Sequence, residues 1–126
     1  RDVERSRGLG DVYKRQEYGL SVFGGKWKSR IICVLAAKET LRYSELRKEM
    51  ANITDAVLAT TLKELIADGI IVRKSYDEIP PRVEYSLTEK GNSVVPILQS
   101  ICRWSGIFYK EETDTPLSQC QRCDYR

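Results

Sequence analysis

Residues 41–91 read LRYSELRKEMANITDAVLATTLKELIADGIIVRKSYDEIPPRVEYSLTEKG and decide the fold of this chain. Two apolar-periodic segments divided near Asn52 predict two short helices, and Gly69 is expected to end the second. The β-rich runs on either side of Ile79-Pro80-Pro81-Arg82 predict a hairpin with a stiff, basic turn. Two helices followed at once by such a hairpin indicate a winged helix-turn-helix.

The second predicted helix, residues 54–68, has one apolar face and one polar face. We expect Thr54 to cap this helix, as Ser44 is expected to cap the helix before it. Its apolar face consists of Leu58, Leu62, Leu65 and Ile66. Its opposite face presents Asp55, Ala56, Ala59, Thr60 and Lys63. Small and polar side chains suit a helix in a DNA major groove, although an ordinary surface helix accepts the same pattern.

The predicted hairpin carries three cations, Arg73, Lys74 and Arg82. In a winged fold such a tip lies along adjacent phosphates or in the minor groove, where the donor fork of arginine is favoured. The alternative is a solvated hairpin that Pro80-Pro81 merely stiffens. The order of elements favours the DNA-binding interpretation.

The segments on either side of this unit predict further helices. A short apolar segment starts at Glu17 and ends at Gly24-Gly25, and a core helix anchored by Trp27 follows and ends near Ala37. Thr88 is expected to cap a long C-terminal helix that contains Pro96. That helix has more apolar residues than one small domain can bury, so its surplus is expected to pack on a symmetry mate.

Several motifs occur in a characteristic order along the chain. They are Phe23-Gly24-Gly25-Lys26-Trp27, Arg42-Tyr43-Ser44-Glu45-Leu46-Arg47, Leu62-Lys63-Glu64-Leu65, Asp68-Gly69, Pro80-Pro81-Arg82-Val83-Glu84-Tyr85-Ser86-Leu87-Thr88 and Gly91. In this order they resemble the signature of the HxlR-type, MarR-like transcriptional regulators, which are small bacterial and archaeal winged helix-turn-helix proteins. The resemblance covers residues 17–106, most of the chain.

This resemblance implies an α+β, mainly helical fold, a winged helix-turn-helix with N- and C-terminal dimerisation helices. It implies a sequence-specific regulator that binds a two-fold symmetric operator in double-stranded DNA as a homodimer. Helix 54–68 would enter the major groove, and the wing at 78–82 would lie on the adjacent backbone or minor groove. The expected DNA-binding residues are Tyr43, Ser44, Thr54, Asp55, Ala56, Ala59, Thr60, Lys63, Arg73, Lys74 and Arg82. The expected dimer interface comprises Tyr18, Leu20, Phe23, Ile97, Ile101, Trp104, Ile107 and Phe108.

Residues 1–16 fit neither this signature nor any periodic pattern. We expect them to be a disordered arm or a non-native segment, with the domain at residues 17–110 and a polar, disordered tail at 111–126. Many members of the family carry a Cys-Pro pair three residues ahead of the position of Glu17, and some sense oxidants or electrophiles with that thiol. Lys14 stands there in this chain, so either the sensor is absent or native residues were replaced up to a junction at Gln16-Glu17.

Composition limits other functions. Histidine is absent and no nucleotide-binding loop is present, so the sequence predicts no enzyme, no cofactor and no metal site. Cys120 and Cys123 have redox or metal-ligand spacing, but one pair supplies only half of a four-sulfur zinc site. A dimer could complete such a site if the two tails met, whereas two incidental tail cysteines are the simpler interpretation. Cys33 and Cys102 are expected to be small core residues.

Charge and hydropathy leave an alternative function open. The formal net charge is +3, and residues 1–16 hold five of the 21 basic and three of the 18 acidic side chains, so the rest is nearly neutral. Near-neutrality favours a winged-helix protein-interaction module, or a small-ligand or redox sensor without strong DNA affinity, as the alternative. An effector pocket would lie near Tyr18, Trp27 and Trp104. No apolar run approaches the roughly 20 residues that span a bilayer, so a cytoplasmic, nucleoid-associated protein without membrane contact is expected.

Overall fold

The computed structural model describes residues 2–109, and the side chains of residues 11–109. Within this part of the chain five helices surround a small antiparallel sheet. The helices are α1 Asp2–Phe23, α2 Lys28–Lys38, α3 Tyr43–Met50, α4 Asp55–Ala67 and α5 Glu89–Phe108, and the strands are β1 Thr40–Leu41, β2 Ile71–Tyr76 and β3 Arg82–Leu87. This arrangement is a winged helix-turn-helix, so the fold class predicted from the sequence is confirmed. None of these helices is both long and apolar enough to cross a membrane.

Helix α1 begins at Asp2, which corrects the expectation of an irregular arm over residues 1–16. The side chains of residues 11–18 are exposed, whereas Val22 near the end of α1 is 3% exposed. Residues 11–16 are therefore exposed within the described part of the chain, as their polar composition favours. This composition did not exclude a helix that continues outward from a packed end, because helix elongation needs no tertiary contact. A non-native origin of these residues stays a prediction.

The hydrophobic core forms around α2, which packs against α1, α3, α5 and the sheet. Four α2 residues, Ile31, Ile32, Val34 and Leu35, are at most 1% exposed. Leu58, Leu62 and Leu65 bring the apolar face of α4 into the same core, as the sequence predicted. Burial of this face fixes which side of α4 is left for other contacts.

The turn between α3 and α4 has a tight backbone. Ala51 and Asn52 have φ of 35° and 63°, in the left-handed region that favours glycine. Thr54 caps α4 as predicted, because its Oγ1 accepts a hydrogen bond from the Val57 N–H at 3.2 Å. The predicted cap at Ser44 is wrong: α3 begins at Tyr43, and the N–H of Arg42 before it donates to Glu45 Oε1 at 2.9 Å. Arg42 is therefore the N-cap residue, and Glu45 at the third helical position accepts from its backbone N–H.

Gly69 ends α4 and turns the chain into the hairpin. Its φ is +74°, and its N–H donates to Ile66 O at 3.0 Å while Ile70 N–H donates to Leu65 O at 2.9 Å. Such paired bonds from a left-handed glycine satisfy the last carbonyls of a helix. Only residues 68–70 separate α4 from β2.

The sheet has three strands in the order β1-β3-β2, one more than the predicted hairpin. Strands β2 and β3 pair from Ile71↔Leu87 to Tyr76↔Arg82, and β1 adds Thr40↔Ser86. A strand of two residues carries no alternating pattern, so only its distant partner defines it.

Helix α5 packs on the domain only through its first half. Thr88 Oγ1 caps it by accepting from Gly91 N–H at 3.0 Å, and the buried residues are Gly91, Val94 and Leu98. Beyond Leu98 the helix runs into solvent, and Cys102 is exposed there. The expectation that Cys102 is a core residue is therefore wrong, because helical spacing alone did not show where packing ends. Cys33 is half-buried against the core.

Candidate nucleic-acid interface

The outward face of α4 has a low profile. Asp55, Ala56, Thr60 and Lys63 are exposed and Ala59 is half-buried. A shallow hollow of about 220 Å³ lies on this side and is lined by Ala56, Val57, Thr60 and Thr61. Thr61 Oγ1 donates to Val57 O at 2.7 Å, so its hydroxyl is satisfied within the helix. Short side chains here allow a flat, polar surface to approach the backbone of α4 closely.

Asp55 connects the first turn of α4 to α3. Its Oδ1 accepts from Arg47 Nη1 in an ion pair and from the Tyr43 hydroxyl at 3.3 Å. The side chains of Arg47 and Asp55 are 44% and 68% exposed, so solvent weakens this pair. The carboxylate also lies where the helix dipole favours negative charge. The contacts of Asp55 therefore support a role in ordering the start of α4.

Tyr43 holds its proton firmly in this arrangement. Burial, the negative charge of Asp55 and the hydrogen bond to Asp55 together raise the pKa of Tyr43 above its ordinary value of 10.0. The hydroxyl therefore stays a donor at neutral pH, and Asp55 is its acceptor. Of the predicted DNA-binding residues, Tyr43 is thus engaged within the protein, whereas Ser44 beside it is exposed.

Arg82 at the wing is held by two neighbours. Its Nη2 lies 3.1 Å from Glu78 Oε1, and its guanidinium carbon lies 3.9 Å from the centre of the Tyr76 ring. Lys74 Nζ lies 5.0 Å from the centre of the same ring. Stacking on Tyr76 orients the Arg82 fork but leaves its side chain 30% exposed. The buried Nε of Arg82 has no hydrogen-bond partner in residues 2–109.

The three predicted wing cations do not share one face. Directly paired residues of an antiparallel sheet lie on the same side, so Lys74, Tyr76 and Arg82 are together. Arg73 pairs with Tyr85, a core residue 9% exposed, and lies on the other side. Alternation along β2 therefore separates one cation from the other two.

Most of the predicted dimer-interface residues are exposed. On α1, Tyr18 and Leu20 are 55% and 63% exposed, whereas Phe23 is half-buried against the core of its own chain. The α5 residues are Ile97 and Ile101, each 46% exposed, and Trp104, Ile107 and Phe108, which are 65%, 71% and 72% exposed. The rings of Trp104 and Phe108 lie 5.4 Å apart. The spacing of residues 97, 101, 104 and 108 places them on one stripe of the helix, named the α5 stripe below.

Sequence reasoning missed several connecting side chains. The sequence analysis did not predict the ion pair of Arg47 with Asp55 across the turn, although opposite charges on both sides of a tight turn were a signal. The effector pocket expected near Tyr18, Trp27 and Trp104 stays a prediction. A second cavity, of about 340 Å³, is lined by Leu35, Ala36, Glu39, Leu87 and Asn92. Cys120 and Cys123 lie outside the described residues.

Residues 22–113 match the family model described as HxlR-like helix-turn-helix. The chain belongs to this family. An uncharacterized HTH-type transcriptional regulator of Halalkalibacterium halodurans is 48% identical over 87 residues, 69% of this chain and 77% of the relative. A MarR-family transcriptional regulator from Enterococcus faecalis has a solved structure with TM-score 0.70 and 38% identity, covering 76% of this chain and 86% of that chain. The redox regulator HypR in its oxidized form gives TM-score 0.68 and 38% identity over 77% of this chain and 99% of that chain.

These matches confirm the family resemblance drawn from the ordered motifs. The HxlR-like chain also carries the α3-turn-α4 unit and the β2-β3 hairpin in the order that its sequence predicted.

Proposed function

We propose that this HxlR-like protein is a DNA-binding transcriptional regulator that acts as a homodimer on an operator with two-fold symmetry. The observation that supports this most is the exposed, low-profile face of α4 directly behind the helix-turn-helix turn, with the β2-β3 hairpin joined to the other end of α4. A recognition helix needs such a face to reach base edges. The regulators named among its relatives agree with this function.

In this proposal α4 lies in the major groove. Ala56, Ala59, Thr60 and Lys63 face base edges, while Ser44 and Thr54 contact the backbone near its N-terminus. Tyr43 and Asp55 orient the start of α4 through their mutual hydrogen bond and the Arg47 ion pair.

The wing lies on the neighbouring backbone or minor groove. Lys74 and Arg82 share one side of the hairpin and act together on phosphates, and Arg73 reaches DNA from the other side. Because the carboxylate of Glu78 offsets part of the charge of Arg82, the wing of a single chain attracts DNA only moderately.

A dimer would compensate for the low net charge of one domain. Residues 17–126 are nearly neutral, so one domain has little general attraction for DNA, whereas two domains double the number of phosphate contacts on one duplex. The α5 stripe, with Tyr18 and Leu20 of α1, supplies the interface in this proposal, and residues 17–110 form the domain. An effector is a further expected partner, and the cavity beside Glu39 and Asn92 has room for a small polar molecule.

The test is a mass measurement of the full chain in solution, followed by titration of random-sequence duplex at several salt concentrations. We expect a dimer whose affinity falls steeply as salt rises, because counterions are released on binding. The second candidate function, a protein-interaction module, is favoured by the near-neutral charge. A chain that shows no affinity for duplex at low salt would contradict the regulator proposal and favour that module.

A further inference from the structure

Lys28 joins three helices at one point. It begins α2, its Nζ donates to Ser21 O of α1 at 2.8 Å, and the same Nζ lies 3.3 Å from Glu64 Oε2 of α4. Its side chain is only 19% exposed, so its ammonium group is largely withdrawn from solvent. The ammonium group of Lys28 therefore interacts with acceptors of its own chain.

Lys90 makes a second connection between α1 and α4. It lies in the first turn of α5, and its Nζ donates to the Tyr18 hydroxyl of α1 at 2.5 Å and to Asp68 O at 2.8 Å. Its Nζ is also 5.2 Å from the centre of the Tyr18 ring. Asp68 is the C-terminal cap of α4, where a cation interacts favourably with the free carbonyls and the helix dipole.

Both lysines thus join one turn of α1, residues 18–21, to the second half of α4. The base-reading side chains proposed above lie in the first half and middle of α4, from Ala56 to Lys63. The two lysines contact two acceptors on α1 and two on α4, and in this way they attach the C-terminal end of α4 to α1. Since Arg47 of α3 pairs with Asp55 at the other end, charged side chains contact α4 at both of its ends.

We infer that Lys28 and Lys90 are positioning residues that set the recognition helix relative to α1 and thereby set the spacing of the operator half-sites. The inference rests on the proposed function, in which α1 and α5 form the interface between two copies. In such a dimer the separation of the two α4 helices depends on how each is attached to the interface helices. Adjacent base pairs lie about 3.4 Å apart along the duplex. A small shift of α4 against α1 therefore changes which half-site spacing the dimer binds best.

The experiment selects bound sequences from a random duplex library with the full chain and with the variant Lys28→Met/Lys90→Met. Methionine keeps most of the apolar length of lysine, and thermal unfolding of each protein checks that it is folded. The affinities of the preferred half-site spacing and of one base pair more are then compared. We expect the wild-type preference to fall about fivefold or more in the double variant, the scale of a typical coupling between sites.

Two variants separate positioning from charge. Glu64→Gln removes the partner of Lys28 but also removes a negative charge, so affinity for random duplex should rise while the spacing preference falls. Tyr18→Phe keeps the ring and removes only the hydroxyl that Lys90 contacts, and it should weaken the preference without a charge change. Lys14→Met, an exposed lysine on α1, is the matched control and should keep the preference.

The outcomes distinguish the two proposals. A wild-type chain that binds no duplex overturns the proposed function and this inference with it. A wild-type chain that binds with one favoured spacing, together with variants that all keep this spacing, overturns the inference alone. Loss of affinity at every spacing by the same factor in the lysine variants would also overturn it, because a direct phosphate contact predicts that result.

Discussion

At Gly91 helix α5 lies so close to the backbone just before β2 that a side chain has no room. A Cβ at this position would lie 2.2 Å from Ile70 O and 3.1 Å from Leu87 Cδ2. We expect Gly91→Ala to lower the free energy of unfolding by about 2 kcal/mol or more, because backbone must move to admit the methyl group. Urea unfolding measures this, with Gly106→Ala of the same helix as control. A Cβ at Gly106 meets nothing within 4 Å, so that change should raise stability by up to about 1 kcal/mol.

Arg82 and Glu78 allow the wing's role to be tested by two opposite changes. Arg82→Ala should weaken binding to specific and random duplex alike and lower the salt slope by about one, because one phosphate contact is lost. Glu78→Gln removes the carboxylate 3.1 Å from the guanidinium and should strengthen binding to random duplex. Fluorescence titrations at several salt concentrations measure both. An Arg82→Ala protein with unchanged affinity and salt slope would show that Arg82 serves the hairpin through Tyr76 instead.

For single residues, the sequence predicted local roles, such as caps and helix ends, better than contacts between elements. The glycine at the end of α4 and the threonine caps were foreseen because each depends on a few neighbouring residues. The pair Arg47 and Asp55 was not, since it depends on how two helices meet. Cys102 was misplaced for a similar reason, because its exposure depends on where α5 leaves the domain.

Among the elements, the start of α4 offers a direct comparison of two hydroxyl residues. Thr54→Ala should lower the free energy of unfolding by about 1 kcal/mol, since its Oγ1 caps the helix by accepting from Val57 N–H. Ser44→Ala, at a position first expected to be a cap, should change stability by less than about 0.5 kcal/mol, because Glu45 makes the capping bond in α3. Thermal or urea unfolding measures both. Equal losses would show that Ser44 does cap α3 in solution.

The recognition helix has a prediction of its own. Thr60→Val changes a hydroxyl into a methyl of nearly the same size on the exposed face of α4, so a base contact changes while the charge stays constant. We expect altered sequence preference, of about 1–3 kcal/mol at one operator position, with little change in affinity for random duplex. Selection from a random library compares the variant with wild type. A uniform loss across all sequences would count against α4 as the reading helix.

Predictability of the elements follows their dependence on local pattern. Helices α2 to α5 and the β2-β3 hairpin were predicted because each combines periodicity with an end signal such as Thr54, Gly69 or Thr88. Strand β1 was missed because Thr40 acquires its role only by pairing with Ser86. Helix α1 was expected to be short because its first residues have no apolar face, yet periodicity reports packing and not helix formation itself.

For the whole molecule, the exposed apolar area and the weak net charge point to one arrangement. The α5 stripe exposes four large apolar side chains, a feature typical of interaction surfaces, and one nearly neutral domain has little general attraction for DNA. In the dimer proposed above, the stripe would be covered and two copies of α4 would face one duplex. The low profile of α4 and the length of α5 would then serve one function, and the lysines that join α4 to α1 would connect the two elements.

Trp104 lies in the middle of the exposed part of the α5 stripe and is 65% exposed in a single chain. If it is covered in a dimer, Trp104→Glu places a charge in an apolar interface and should convert the protein to a monomer, because an unpaired buried charge costs several kcal/mol. The monomer should bind random duplex with roughly half the salt slope, since it contacts half as many phosphates. Gly106→Glu adds the same charge about 200° around the helix and should leave the dimer intact. Light scattering and salt-dependent titration measure both variants. A Trp104→Glu protein that stays dimeric would place the interface away from the α5 stripe, and a monomer with the full salt slope would show that one chain alone makes the phosphate contacts.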